Sequence, residues 1–162
     1  MTGKASMRLL SRSAEETERI GFDVASSLRC RRGGATILLY GDLGAGKTTL
    51  VRGIASALGI PARDVASASF VIVVEYDSTP PLYHVDLYRI GSPAEVDSLG
   101  LWDYIESGGI TAVEWAEKLT DPPDDAVRIT FSLRGPDERL IEVEGMPEKT
   151  CPESLSCGGR GR

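Results

Sequence analysis

Residues 41–49 read Gly-Asp-Leu-Gly-Ala-Gly-Lys-Thr-Thr and contain the residue types needed to hold a chain of phosphates. Gly41, Gly46, Lys47 and Thr48 occupy every fixed position of the phosphate-binding pattern G-x-x-x-x-G-K-[ST]. Glycines in such a loop let successive backbone N–H groups converge on phosphate oxygens, because no Cβ stands in the way. The pattern therefore predicts a nucleoside triphosphate with Mg²⁺ as the ligand.

The residues of the loop have separate predicted tasks. Lys47 should reach the β- and γ-phosphates, and the Thr48 hydroxyl should bind Mg²⁺. The loop backbone and the N–H of Thr49 should hold the phosphates, helped by the positive end of the following helix dipole. The predicted nucleotide-binding residues of the loop are Gly41, Gly44, Ala45, Gly46, Lys47, Thr48 and Thr49.

Two acidic residues end apolar runs further along the chain. Asp86 follows Leu-Tyr-His-Val, and Glu114 follows Ile-Thr-Ala-Val. Both runs are predicted strands, and the C-terminal ends of strands form the edge at which open α/β sheets bind ligands. Since a buried carboxylate without a cation is costly, we expect both acids to hold Mg²⁺ and orient the attacking water. The alternative is an acid that simply meets solvent or caps a neighbouring helix.

Two residues near these acids have less specific interpretations. His84 is the only histidine of the chain. It could carry a proton, but a lone histidine on a strand is more often a packing or hydrogen-bonding residue. Trp115 could stack on a base or a partner, although core packing is the more common role.

The elements that must position these residues follow from the hydrophobic pattern. Ala35–Tyr40 is an apolar run fit for a buried strand, and the segment 48–58 has helix-forming composition, so the loop joins a strand to a helix. Capping boxes at Ser13 and Ser92 predict two more helices, which end near residues 33–34 and near Gly100. Further strands are predicted over 70–76, 82–87, 110–114, 127–133 and 139–144.

This order of elements predicts an α/β fold: a single P-loop NTPase domain with three layers. The last third is rich in strands, so the sheet should mix parallel and antiparallel pairs. The predicted domain spans residues 1–145. From residue 146 the composition turns to Pro, Gly, Ser, Cys and charge, which predicts a disordered tail over 146–162.

Bulk properties exclude several classes of protein. A net charge of −6 over 162 residues argues against a protein that grips DNA or RNA through its overall charge. Three cysteines without metal-ligand spacing do not suggest a disulfide framework. No apolar stretch reaches membrane-spanning length, and residues 1–12 lack the apolar core of a signal peptide. We therefore expect a cytoplasmic protein with no membrane partner.

Five groups of residues, taken in order, are similar to those of one family: Gly41–Thr49, Ser67–Phe70 with Val74–Tyr76, His84–Arg89, Leu99–Tyr104 and Glu114–Lys118. They resemble the TsaE family, also called YjeE, small bacterial ATPases of tRNA threonylcarbamoyladenosine synthesis. The resemblance runs from about residue 13 to 119 and more loosely to 144.

The resemblance implies a fold, an activity and partners. The fold would be one α/β phosphate-loop domain with a mixed sheet, and the activity a weak hydrolysis of ATP to ADP with Mg²⁺. The partners would be the proteins TsaD and TsaB, which install a threonylcarbamoyl group on adenosine 37 of tRNAs that read codons starting with A. The family member is not the transferase, and it meets tRNA only through that complex.

The resemblance also implies roles for individual residues. Lys47 and Thr48 match the family's phosphate-binding lysine and magnesium-binding threonine, and Glu114 matches its magnesium-linked acid. Asp86 matches the aspartate of a family motif. The catalytic candidates are thus Lys47, Asp86 and Glu114, and the metal candidates are Thr48, Asp86 and Glu114. Thr17 matches a position near the nucleotide.

A switch-like segment, residues 67–76, departs from the family pattern. The family usually has Ser-Pro-Thr-Phe-Thr where this chain has Ser67-Ala-Ser-Phe-Val71. Ser67, Ser69 and Glu75 are its candidate functional residues, and Ser69 keeps a hydroxyl. Ala68 should loosen the loop because proline fixes φ, and Val71 removes a hydroxyl.

Two other functions compete with the ATPase. A small-molecule P-loop kinase of similar size usually carries an arginine-rich lid, whereas Arg63, Arg89 and Arg134 are scattered here. A nucleotide-gated binding module without useful turnover is the other alternative, and the intact set of Lys47 and the acids weighs against it. The chain lacks an Asn/Thr-Lys-x-Asp element of the GTPase type, which favours ATP.

Overall fold

The computed structural model describes residues 5–66 and 72–148. Within these ranges the strands are β1 Ala5–Ser11, β2 Ala35–Tyr40, β3 Val73–Tyr76, β4 Leu82–Asp86, β5 Ile110–Glu114, β6 Val127–Leu133 and β7 Arg139–Met146. The helices are α1 Ala14–Leu28, α2 Lys47–Ala57, α3 Pro93–Ser98 and α4 Leu101–Glu106. Short 3-10 turns occupy Ala62–Asp64 and Ala116–Lys118.

The strands form one mixed sheet in the order β1-β7-β6-β2-β5-β4-β3. The four inner strands β6, β2, β5 and β4 run parallel, and β1, β7 and β3 add antiparallel pairs at the edges. The parallel strands β2, β4 and β5 therefore end at one edge, where Glu114 lies between Leu39 and Asp86 in the register. The predicted mixed sheet is confirmed.

Helices cover both faces of the sheet and give the predicted three layers. One apolar cluster joins α1 and α2 to the first face, with Leu50 and Ile54 fully buried against Ile37 and Leu39. On the opposite face, a second apolar cluster contains Val96 of α3 and Leu101 of α4 together with Val113 of β5.

Two glycines bring α1 and α2 into backbone contact. A Cβ built on Gly21 of α1 would lie 2.1 Å from the Leu50 carbonyl oxygen, and one on Gly53 of α2 would lie 1.9 Å from the Glu18 carbonyl oxygen. No larger residue fits at either position without separating the helices. This contact fixes the helix whose first turn carries Lys47.

Several local predictions are wrong or incomplete. β1 and α4 are missing from the elements predicted from sequence. β1 is exposed along most of its length and shows no alternation of burial. The predicted helix end near Gly100 is confirmed, since α3 ends at Ser98 and Gly100 adopts a left-handed conformation before α4. The first helix ends at Leu28, a few residues before the predicted glycines. β7 extends to Met146, one residue into the predicted tail.

Two further predictions concern the cysteines and the tail. Cys30 is disulfide-bonded in the structure, and one bond does not amount to a disulfide framework. Residues 149–162, with Cys151 and Cys157, lie outside the described residues. Among the residues that are described, no helix has the length and apolar character needed to cross a bilayer.

Candidate active site

The loop between β2 and α2 is a glycine turn that opens directly into the helix. Gly44 and Gly46 have φ of 77° and 109°, in the region that disfavours residues with a Cβ. A Cβ built on Gly46 would lie 2.5 Å from Nη1 of Arg139, so a side chain there would displace the arginine. α2 begins at Lys47, which places its free N–H groups and positive dipole end beside the loop.

Lys47 lies under this loop with only 4% of its surface exposed. Its ammonium group donates to the Gly41 carbonyl and, at 2.9 Å, to the Asp42 carbonyl. It also lies 4.1 Å from the centroid of the Trp115 ring. Burial lowers the pKa of Lys47, and the carboxylate of Glu114 is the largest opposing influence. The cation is thus held by backbone carbonyls, which a phosphate group can replace.

Glu114 collects two hydrogen bonds on one carboxylate oxygen. Oγ1 of Thr48 donates to its Oε1 at 2.8 Å, and Nε2 of His84 contacts the same atom at 2.9 Å. Glu114 is 3% exposed and His84 is fully buried. The first turn of α2 and the ends of β4 and β5 therefore meet at this carboxylate.

Asp86 ends β4 directly beside Glu114 in the register of the two parallel strands. Its Oδ1 accepts the Tyr88 backbone N–H at 3.0 Å. Burial raises the pKa of Asp86, and the charge on Glu114 adds to the rise, while the Tyr88 hydrogen bond, His84 and Lys47 oppose it. Burial thus makes the ionised carboxyl of Asp86 less favourable than in water.

A cavity of about 390 Å³ joins these groups at the edge of the sheet. It brings together most of the predicted loop residues with both predicted acids, and it adds five residues that were not among the predicted site residues. Its lining is Leu43, Gly44, Ala45, Gly46, Lys47, Thr48, Thr49, Asp86, Tyr88, Arg89, Glu114, Trp115 and Arg139. The Gly41 carbonyl accepts from Lys47, although Gly41 does not line the cavity.

Oxygen atoms suited to Mg²⁺ lie at the floor of this cavity. The Thr48 hydroxyl donates to the Glu114 carboxylate across 2.8 Å, so the two groups lie close enough to bind one Mg²⁺ ion. Asp86 is the third candidate ligand. The described part of the chain has no cluster of three or more His, Cys, Asp or Glu residues able to hold a metal alone. The donors therefore fit an ion shared with substrate phosphates, which is the usual arrangement for Mg²⁺.

The remaining predicted residues lie elsewhere. Thr17 does not line the cavity; its hydroxyl is buried and contacts the Ser11 hydroxyl at 2.8 Å. Glu75 is exposed on β3 and does not line the cavity. Ser67 and Ser69 fall outside the described residues.

Arg139 is the main residue that sequence reasoning missed. It is the first residue of β7 and reaches the cavity from the far side of the loop. Its Nε atom is buried and has no hydrogen-bond partner within residues 5–66 and 72–148. No local motif marks this arginine, because the pairing of β7 with β6 and β1 is what brings it to the loop.

Tyr88 and Trp115 form an aromatic wall on the opposite side of the cavity. Their ring centroids are 5.1 Å apart. Trp115 has φ of 59°, a rare value for a large side chain. The conformation turns the chain sharply after Glu114 and sets the indole against the Lys47 ammonium. Tyr88 lies inside a segment quoted for the family resemblance, so a motif-based search could have included it.

Comparisons with known proteins agree on one family. The family model described as "Threonylcarbamoyl adenosine biosynthesis protein TsaE" matches residues 11–141. A Bacillus subtilis protein named tRNA threonylcarbamoyladenosine biosynthesis protein TsaE is 44% identical over 110 residues, 67% of this chain and 68% of the relative. A protein of the same name from Nostoc sp. is 39% identical over 134 residues, 80% of each chain. A crystal structure of YdiB from Bacillus subtilis has a TM-score of 0.68 and 33% identity, covering 91% of this chain and 90% of that one.

Proposed function

This chain belongs to the TsaE family, and we propose that it is a magnesium-dependent ATPase serving the threonylcarbamoylation of adenosine 37 in tRNA. The relatives above are named as proteins of tRNA threonylcarbamoyladenosine biosynthesis. The observation that carries the ATPase proposal is the cavity lined by Lys47, Thr48, Asp86 and Glu114. A cation, a hydroxyl and carboxylates around a glycine loop are the groups that phosphoryl transfer from ATP requires.

ATP binding would begin with the loop and Lys47. The phosphates take the place of the carbonyl groups that Lys47 contacts, and the N–H groups at the start of α2 donate to them. Arg139 is a second cation, on the opposite side of the loop from Trp115. Its guanidinium lines the cavity and would donate to a phosphate oxygen. The negative charge of the phosphates would thus pair with the positive charges of Lys47 and Arg139.

Hydrolysis would then depend on the acids. Mg²⁺ would neutralise charge on the phosphates. Thr48 and Glu114 would hold it, with Asp86 nearby. Glu114 and Asp86 would orient a water whose oxygen bonds to the γ-phosphorus as the bond to the β–γ bridging oxygen breaks, giving ADP and phosphate, and the proton of the water leaves to solvent. Lys47 stabilises the charge that develops on the transferring group.

We place this ATPase in a larger reaction that it does not itself catalyse. TsaD and TsaB would carry out the transfer to tRNA, and ATP turnover by this chain would support their repeated cycles. The net charge of −6 disfavours a direct grip on tRNA, so contact would be indirect. The proposed working unit is the domain of residues 1–145, acting in the cytoplasm.

Reconstitution tests the proposal. ATP hydrolysis is measured for this chain alone and then with TsaB, TsaD and tRNA, while repeated rounds of tRNA modification are counted. We expect the wild type to raise the number of rounds and Lys47→Ala to abolish that effect. Unchanged turnover on addition of the wild type would refute the proposed role. Phosphate transfer to a small molecule instead of water would favour the kinase.

A further inference from the structure

We propose that His84 is a positioning residue for Glu114, holding one carboxylate oxygen so that the other faces the cavity. This inference rests on the proposed function, because it assigns the hydrolytic acid its geometry. His84 lies in the middle of β4, pairs with Ala112 of β5 and is fully buried. It does not line the cavity, so its effect on any ligand passes through Glu114.

The hydrogen-bonding pattern of the imidazole identifies its partner. Glu114 Oε1 can only accept when the carboxylate is ionised, so the ring donates from Nε2 across 2.9 Å. Nδ1 is buried and has no hydrogen-bond partner among the described residues. An unsatisfied polar atom in an apolar core is unfavourable, and an apolar side chain of similar size would avoid it. The hydrogen bond to Glu114 therefore explains why a polar ring occupies this position.

That contact fixes the orientation of the carboxylate. The terminal torsion of glutamate is broad and roughly two-fold, so a hydrogen bond is needed to fix the carboxylate. His84 and Thr48 both bond Oε1, and the described residues provide no hydrogen bond to Oε2. Thr48 has a second proposed task as a metal ligand, whereas His84 is outside the cavity. His84 is thus the donor that can hold Glu114 unchanged before and after ligand binding.

Two variants separate this role from packing. Gln places its amide nitrogen as many bonds from the backbone as Nε2 of His84, whereas Leu fills the space without a donor. For wild type, His84→Gln and His84→Leu, ATP affinity is measured by calorimetry in EDTA and over a Mg²⁺ titration, and kcat and KM are measured in parallel.

We expect the affinity in EDTA, and the KM at saturating Mg²⁺, to be unchanged in both variants. His84→Leu should lose about tenfold or more in kcat and need a higher Mg²⁺ concentration to tighten ATP binding, as happens when the partner of a metal ligand is removed. His84→Gln should restore both properties. Equal impairment of the two variants, or wild-type behaviour of His84→Leu, would overturn the inference.

The outcomes remain distinct if another part of the account fails. If the wild type does not hydrolyse ATP, the proposed function is refuted, while the Mg²⁺ titration still judges His84: an identical response in wild type and His84→Leu overturns its role. If His84→Leu does not fold, His84→Asn replaces it, since its amide is one carbon too short to reach Glu114. Equal values for Asn and Gln would then count against positioning.

Discussion

Replacing Gly53 by alanine should destabilise the protein, although alanine is the better helix former. A Cβ on Gly53 would lie 1.9 Å from the Glu18 carbonyl oxygen and 2.7 Å from its carbonyl carbon. Both atoms belong to the backbone of α1, so no side-chain rotation relieves the clash. The helices must separate by about 1 Å or more to reach ordinary van der Waals distance.

The expected size of the effect follows from two opposing contributions. Overpacking of a close contact costs about 1–3 kcal/mol, and the change from Gly to Ala inside a helix returns up to about 1 kcal/mol. Because this clash is with backbone atoms, its cost lies in the upper part of that range, about 2–3 kcal/mol, and the net loss for Gly53→Ala is about 1–2 kcal/mol in the free energy of unfolding. For a chain of this length that lowers Tm by about 2–8 °C. Because Lys47 opens the displaced helix, ATP affinity should fall as well.

Thermal unfolding followed by circular dichroism measures the effect. Gly91→Ala is the matched control, because its Cβ would meet only the Glu95 Oε1 atom, at an ordinary 3.5 Å. The control should stay within about 0.5 kcal/mol of wild type. A Gly53→Ala protein as stable as wild type or more stable would refute the close packing of α1 on α2.

Three further outcomes follow from the site. Asp86→Asn should stabilise the ligand-free protein by about 1 kcal/mol at neutral pH, because burial raises the pKa of Asp86 and its ionised form is unfavourable in the folded state. The free energy of unfolding of the wild type should fall as pH rises from the ordinary to the raised pKa of this group. Denaturation at several pH values should therefore show that Asp86→Asn is more stable than wild type at neutral pH but not in acid. In a Trp102→Phe background, ATP should change the fluorescence of Trp115, because the Lys47 ammonium beside its ring would turn to the phosphates. An unaltered spectrum at saturating ATP would contradict that contact. Arg139→Ala should weaken ATP binding by about tenfold or more by calorimetry, whereas the exposed Arg134→Ala should not, and equal losses would deny Arg139 a specific role.

The centre of the site could be predicted from sequence because each part is local. The glycine loop carries its own turn chemistry, and Asp86 and Glu114 each end an apolar run that can only be a buried strand. Parallel strands end at a common edge, so the meeting of these acids with the loop follows from topology alone. The register of β4, β2 and β5 confirms that arrangement of the elements.

The parts that sequence did not predict depend on tertiary pairing. Arg139 reaches the loop only because β7 pairs with both β6 and β1. β1 itself is exposed on both sides along most of its length, so burial imposes no period on its sequence. The contact of His84 with Glu114 depends on the register of β4 against β5. The sequence pattern of either strand alone cannot predict that register.

The central claim is that this cavity hydrolyses ATP through Glu114, and one variant tests it most directly. Gln at this position keeps an oxygen for Thr48 and His84 but removes the negative charge. We expect wild type to form ADP only with Mg²⁺. At saturating Mg²⁺, Glu114→Gln should bind ATP within about threefold of wild type but hydrolyse it at least about 100-fold more slowly. Hydrolysis at the wild-type rate by Glu114→Gln would contradict the claim, and loss of ATP binding would mean that Glu114 chiefly holds the metal.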